Sequence, residues 1–178
     1  MMRTPKILLF LFISCLCFGC QSSLRRESRI EKQDDVYVLS FANLSFSVSA
    51  GKGGRIVSFK CEDRELLTSD SVHSKYYGAT FWLSPQSEYW PQYQCVDELP
   101  YQAEIDKQIL RLVSPPDSIS GVSVTKEFSI SERDSSILIR YSVRNVSRQL
   151  KRLAPWDVTR VYGGLSFFPV GETDQMNK

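Results

Sequence analysis

The chain has 178 residues, 42% of them hydrophobic, and carries a formal net charge of +2. This length and composition support one domain with a substantial core. A nearly neutral chain without a cluster of Lys and Arg on one element lacks the electrostatic surface that binds phosphate backbones, so nucleic acid is excluded as a partner.

The first 20 residues, MMRTPKILLFLFISCLCFGC, have the pattern of an export signal. Arg3 and Lys6 precede an apolar run of about twelve residues, the length of a signal-peptide core and too short for a transmembrane helix. The ending Gly19-Cys20 resembles the lipobox of bacterial lipoproteins, in which the cysteine is lipidated after cleavage. We predict a lipoprotein signal peptide at 1–19, a membrane anchor on Cys20 and a periplasm-facing place in the cell envelope; secretion without lipid is the alternative.

The residues after Cys20, QSSLRRESRIEKQDD, are polar and highly charged. This composition predicts a solvated tether at 20–35 between the anchor and a folded domain at 36–178. Removal of the signal peptide also removes Arg3 and Lys6, so the formal net charge falls from +2 to zero. The mature domain therefore has even less attraction for nucleic acid than the whole chain.

From residue 36 onward, apolar and polar residues alternate in most segments, which is typical of strands with one buried and one exposed face. No segment after the signal has the 3.6-residue apolar period of a helix. We therefore predict an all-β fold, an antiparallel β-sandwich. The predicted strands are VYVLSF (36–41), LSFSVSA (44–50), RIVSFKC (55–61), QILRLVS (108–114), GVSVTKEFSI (121–130), SSILIRYSVRNVS (135–147) and APWDVTRVYGG (154–164).

The stretch GGRIVSF starts a predicted strand on two glycines. Glycine adopts positive φ without a steric penalty, so a tight turn into the strand is expected here. Strict alternation would place Val57, Phe59 and Cys61 on one face. Arg55 falls at the margin of the sheet, where a structural role and a ligand contact are both open.

The sequence YYGATFWLSPQSEYWPQY, at 76–93, contains two of the three tryptophans. Flat aromatic faces stack on the C–H faces of sugar rings, and neighbouring amides and hydroxyls bind sugar hydroxyl groups. We therefore take Trp82, Gln86 and Trp90 as candidate carbohydrate-binding residues. The alternative is that the two tryptophans are core residues at the ends of strands.

The segment APWDVTR holds the third tryptophan. With a period of two, Trp156, Val158 and Arg160 share one face, and Asp157 lies with Thr159 on the other. Trp156 and Asp157 join the candidate carbohydrate site if this strand forms a cleft wall. In a catalytic protein, Asp157 would be the candidate base, although the pattern itself identifies no catalytic residue. The alternative is a buried Trp with a solvated Asp.

Cys61 and Cys95 are the cysteines that remain after the signal and the proposed lipid site are set aside. In an oxidising compartment they could form a disulfide worth ~3–4 kcal/mol, or they could be two free thiols. The sequence leaves both open. One histidine and two separated cysteines do not make a zinc ligand set, so we expect no metal and no other cofactor.

Taken in order, several of these segments resemble the galactose mutarotase-like superfamily of sugar-converting proteins. The similar segments are GGRIVSF, GATFWLSPQ with the following YWP, GVSVTKEFSI, RYSVRNVS and APWDVTRV, between residues 36 and 170. The resemblance implies a supersandwich of two large sheets that binds a monosaccharide or oligosaccharide. It also implies more strands than this sequence supplies, so we expect an incomplete sandwich at the C-terminal end.

Mutarotases use histidines on central strands and a glutamate from the C-terminal part for acid–base catalysis. APWDVT stands where the resemblance places a catalytic histidine, the single histidine His73 matches no motif, and the expected glutamate is missing. The first hypothesis is therefore an exported carbohydrate-binding domain without catalysis. The alternatives are a sugar epimerase that uses carboxylates such as Asp157 or Glu88, and a structural envelope lipoprotein.

Overall fold

A computed structural model describes residues 27–91 and 94–164. The predicted signal peptide and Cys20 lie outside the described residues. The described part contains eleven strands and two short helices, and none of its helices is long and apolar enough to cross a membrane. The elements are β1 (Arg29–Gln33), β2 (Val36–Phe41), β3 (Leu44–Ser49), β4 (Arg55–Cys61), β5 (Arg64–Glu65), β6 (Ala79–Ser84), α1 (Gln86–Tyr89), α2 (Gln94–Asp97), β7 (Gln102–Asp106), β8 (Ile109–Val113), β9 (Val122–Ser131), β10 (Ser136–Asn145) and β11 (Ala154–Thr159).

The strands form two antiparallel sheets, which confirms the predicted all-β sandwich. The large sheet has the order β1-β2-β3-β4-β6-β11, with β5 beside β4, and the small sheet has the order β10-β9-β8-β7. Most neighbours in these sheets are also consecutive in the chain. Such pairings need only short turns, which matches the turn residues between the predicted strands.

The core lies between the two sheets and is built from the inward face of each strand. Alternation brings these side chains together because successive residues of a strand point to opposite faces. Each large apolar side chain that is fully buried contributes about 1.5–3 kcal/mol to stability. The most deeply buried apolar residues are Leu39, Val48, Phe81, Val96, Leu110, Leu112, Val122, Val124 and Phe128.

β1 lies inside the stretch that was predicted as a tether. It pairs with β2 along its whole length, and Ile30 packs against the core. The other side chains of β1 are exposed, so the strand belongs to the sheet mainly through backbone hydrogen bonds. Its charged sequence is therefore that of an edge strand, and the folded domain begins before residue 36.

β4 departs from the predicted alternation. Its register shifts opposite Val48, which pairs with Ile56, so Val57 has no partner in β3. Such a β-bulge adds one residue and reverses the phase of the strand. Ile56 and Phe59 therefore both face the core, while Val57 does not share the face of Phe59 and Cys61. The predicted face was wrong at Val57 for this reason.

The glycine pair before β4 has the conformation that the sequence indicated. Gly53 and Gly54 both have φ of +60°, and the Gly53 N–H donates to the Leu99 carbonyl at 3.0 Å. A Cβ atom on Gly53 would lie 2.1 Å from the backbone carbonyl carbon of Asp97. The pair thus combines a turn with a close approach between two backbone segments, and both need glycine.

Candidate functional site

An aromatic cluster lies on the outer face of the large sheet. In β6, Phe81 faces the core, so Trp82 points outward. Trp156 in β11 pairs directly with Trp82 and therefore projects from the same face. The two indoles meet edge to face, with ring centroids 5.3 Å apart. Two strands that are far apart in sequence thus bring two of the predicted sugar-binding residues into contact.

Two further rings complete this aromatic cluster, which consists of Tyr76, Trp82, Trp90 and Trp156. The ring centroid of Trp90 lies 5.5 Å from that of Trp82, and the ring centroid of Tyr76 lies 6.1 Å from that of Trp82. Both rings are nearly perpendicular to the Trp82 ring. Trp82 is only 7% exposed, whereas Trp90 is 49% exposed. Trp82 therefore lies at the buried base of the cluster, and Trp90 is exposed to solvent.

A hollow with a volume of about 370 Å³ opens beside Trp156. We call it the aromatic hollow. Sites for small ligands in proteins have volumes of about 300–1,000 Å³. The aromatic hollow combines an indole and two prolines with a hydroxyl group and the amide of Gln86, one of the predicted carbohydrate-binding residues. Its lining residues are Ser84, Pro85, Gln86, Ala154, Pro155 and Trp156.

A buried ion pair lies under the aromatic cluster. Oδ2 of Asp97 accepts hydrogen bonds from Arg55 Nη2 at 3.1 Å and from Trp82 Nε1 at 3.2 Å. Arg55 also donates to the Lys75 carbonyl at 2.8 Å. Arg55 and Asp97 are 4% and 1% exposed. Burial raises the pKa of Asp97, and the Arg55 guanidinium and the Trp82 N–H offset part of that shift.

Arg55 is the first residue of β4, and its side chain is buried. Its guanidinium is held by Asp97 beneath the surface and stacks over the Tyr77 ring at 4.8 Å. Sequence reasoning missed Asp97, because the residue sits in the short helix α2 within the irregular segment and matches no motif. The sequence did contain one signal, the acidic pair Asp97-Glu98 shortly after an aromatic-rich stretch.

A second hollow, of about 340 Å³, opens above the ion pair. We call it the charged hollow, because it has three cationic and two anionic side chains. The Lys52 ammonium donates to the Tyr77 hydroxyl at 3.1 Å, and the Lys75 ammonium lies 3.5 Å from the Glu98 carboxylate. The lining residues are Lys52, Arg55, Ser74, Lys75, Tyr77, Asp97 and Glu98.

Lys126 is a buried cation between the two sheets, and it is 1% exposed. Its ammonium donates to the carbonyls of Gly53 at 2.6 Å and Gly54 at 3.3 Å. The rings of Tyr101 and Tyr141 lie 5.2 and 5.9 Å from the Lys126 nitrogen. The glycine turn thus also supplies the two carbonyls that hold this lysine.

Burial lowers the pKa of Lys126 to about 7, although Asp97 and Asp157 act in the opposite direction. Sequence reasoning missed this residue too. In GVSVTKEFSI, Lys126 has the same parity as the inward residues Val124 and Phe128. This parity was a usable signal, because it placed a charge on the core face of the strand.

Asp157 lies on the opposite face of the large sheet from Trp156, as the period of two predicted. It pairs with Phe81, and its carboxylate accepts hydrogen bonds from Tyr141 Oη at 2.8 Å and Thr159 Oγ1 at 2.9 Å. The structure therefore brings Trp82, Trp90, Trp156 and Gln86 to one region and places Asp157 behind the sheet.

His73 is exposed and directly precedes Ser74 and Lys75, which line the charged hollow. Its Nδ1 accepts hydrogen bonds from the backbone N–H groups of Lys75 and Tyr76, and its ring stacks on Tyr76 at 5.0 Å. The histidine therefore shapes the loop that carries Tyr76 and Lys75.

Cys61 and Cys95 are free thiols, so the disulfide that the sequence left open is not formed. The Cys61 sulfur accepts from Asn43 Nδ2 at 3.6 Å. Burial and the neighbouring Asp117 carboxylate raise the pKa of the Cys95 thiol. Within residues 27–91 and 94–164, no group of three or more His, Cys, Asp and Glu side chains is placed to hold a metal ion.

No family model matches the sequence. No curated protein is significantly similar to it either.

Proposed function

We propose that this protein binds carbohydrate at the aromatic hollow. The observation that carries the proposal is the arrangement of Trp156, Gln86 and Ser84 around one open hollow. Trp156 also belongs to the aromatic cluster, in which Trp90 is exposed to solvent. An indole face excludes water from the apolar side of a sugar ring, while an amide and a hydroxyl bind its hydroxyl groups. The order of the sequence motifs adds the proposal that the domain is mutarotase-like.

The chemistry of the hollow favours binding over sugar epimerisation. An epimerase needs a titratable acid–base pair within hydrogen-bond reach of the sugar. The residues that line the aromatic hollow are neutral, and Asp157 lies behind the sheet with Tyr141 and Thr159. A purely structural envelope protein, in turn, has no need for an open polar hollow that adjoins an aromatic cluster with an exposed indole.

Replacement of Trp90 by Ala tests this proposal. Aromatic contacts of this kind contribute on the order of 0.5–1.5 kcal/mol, so sugar affinity should fall about two- to twelvefold. The melting temperature should stay nearly unchanged, because half of the ring is exposed. Calorimetric titration with glucose, galactose, xylose and their uronic acids measures the affinity, which we expect in the high-micromolar to millimolar range.

Leu138→Ala is the matched control, because Leu138 is an exposed apolar residue of the small sheet. It should change neither the affinity nor the melting temperature. A core role for Trp90 would instead appear as a loss of stability of ~3–5 kcal/mol. If the folded wild-type protein binds no sugar of the panel, the proposal of carbohydrate binding is wrong.

We also propose that a lipid on Cys20 attaches the protein to the membrane. Several acyl chains anchor a protein stably, whereas one chain gives only marginal binding. Cys20→Ser removes the acylation site and should move the protein from the membrane fraction to the soluble fraction of the producing bacterium. Mass spectrometry of the wild-type N-terminus should find an acylated Cys20, and unchanged fractionation of the variant would contradict the proposal.

A further inference from the structure

We propose that the charged hollow binds the anionic group of an acidic saccharide, either a uronate carboxylate or a sulfate ester. This inference rests on the proposed function, because the sugar ring would occupy the aromatic hollow. It adds the substrate class: a saccharide with a negative charge on one of its units.

The first observation is the charge balance of the hollow. Arg55 and Asp97 neutralise each other in a buried pair, and Lys75 is paired with Glu98. Lys52 remains, and among the described residues it forms no ion pair; its polar contact is the Tyr77 hydroxyl. The hollow therefore has one exposed ammonium group without a counter-charge, which favours an anionic ligand.

The second observation is that the Lys75–Glu98 pair is open to solvent. Its side chains are 55% and 36% exposed, and the nitrogen–oxygen distance is 3.5 Å. Exposed pairs of this kind contribute little, so an entering anion can share the Lys75 ammonium at small cost. At the base, the Arg55 Nε–H has no hydrogen-bond partner in the described part, so one donor is left over for an anion. Asp97 Oδ1 also lacks a partner there, but as an acceptor it offers nothing to an anion.

The third observation connects the two hollows. Trp82 donates to the same oxygen of Asp97 that binds Arg55, and its ring contacts Trp156. Asp97 lines the charged hollow and Trp156 lines the aromatic hollow. Trp82 therefore contacts one lining residue of each hollow. A saccharide that binds both would place its sugar ring in the aromatic hollow and an anionic substituent or a neighbouring acidic unit in the charged hollow.

Paired sugars test the inference by calorimetric titration of the purified full chain. The pairs are galactose with galacturonate, glucose with glucuronate, and galactose with galactose 6-sulfate, together with short oligosaccharides of galacturonate. The acidic member should bind about three- to tenfold more tightly, and the preference should shrink as salt is added. A larger preference for the uronates or for the sulfate ester identifies the source of the charge.

Lys52→Met should remove the preference, so that both members of a pair bind equally well, and Lys52→Arg should retain it. Lys60→Met is the control, because Lys60 is exposed in β4 and does not line either hollow. Equal binding of neutral and acidic sugars by the wild-type protein would overturn this inference and leave carbohydrate binding intact. No binding of any sugar by the folded protein would overturn both.

Discussion

Asp97→Ala is expected to lower the free energy of unfolding by about 3–5 kcal/mol, because it leaves the Arg55 guanidinium buried without its counter-charge. The change also removes the hydrogen-bond acceptor of the Trp82 indole N–H. For a domain of this size, the melting temperature should fall by on the order of 10–20 °C. Urea and thermal unfolding followed by tryptophan fluorescence measure both quantities.

Glu98→Gln is the control for this prediction, since Glu98 neighbours Asp97 but forms an exposed pair with Lys75. It should cost no more than about 1 kcal/mol. The double replacement Arg55→Met with Asp97→Leu should cost less than the sum of the single changes, because no charge remains unpaired. Strictly additive losses would show that the two residues do not stabilise each other.

Lys126→Met is expected to remove a strong pH dependence of stability. The pKa of Lys126 is about 7 in the folded protein, against an ordinary value of 10.5. Between these values the unfolded chain binds a proton that the folded protein does not, so the free energy of unfolding rises with pH. The wild-type protein should gain about 3 kcal/mol relative to the variant between about pH 7 and 9.5.

The pH range of this comparison ends below pH 10 because burial also raises the pKa of Tyr101 and Tyr141. At higher pH the unfolded chain loses these protons before the folded protein does, so the free energy of unfolding falls with pH. Arg55, Asp97 and Asp157 also act on Lys126, and all three remain in the variant. Urea unfolding at several pH values gives the two curves. Lys60→Met should keep the wild-type slope, and parallel curves for wild type and Lys126→Met would refute a lowered pKa.

The strands of this protein could be predicted from its sequence wherever one face of the strand is exposed and the other is buried. β2, β3, β8 and β9 follow the predicted alternation, and the glycine pair before β4 predicted the positive φ angles that are found. The faces of β11 were also predicted correctly. These features are local, since they depend on the direction of successive side chains and on the backbone freedom of glycine.

β6 was not predicted, and the reason is its burial on both faces. Phe81 faces the core, while Trp82 is covered by Tyr76, Trp90 and Trp156. A strand that is buried on both faces has apolar residues at consecutive positions. Its sequence therefore lacks the alternation of apolar and polar residues that identifies a strand. β1 was not predicted for the opposite reason. Its side chains are almost all exposed, and it belongs to the sheet through its backbone pairing with β2.

The sequence by itself determined the β class, the turn at Gly53 and the concentration of aromatic residues that form the candidate site. Only the tertiary structure decided which partners the charges have. Asp97 reaches Arg55 across 42 positions, and Lys126 reaches the Gly53 carbonyl across 73. Such pairs depend on how sheets and loops pack, and a bulge of one residue in β4 is enough to change which side chains meet.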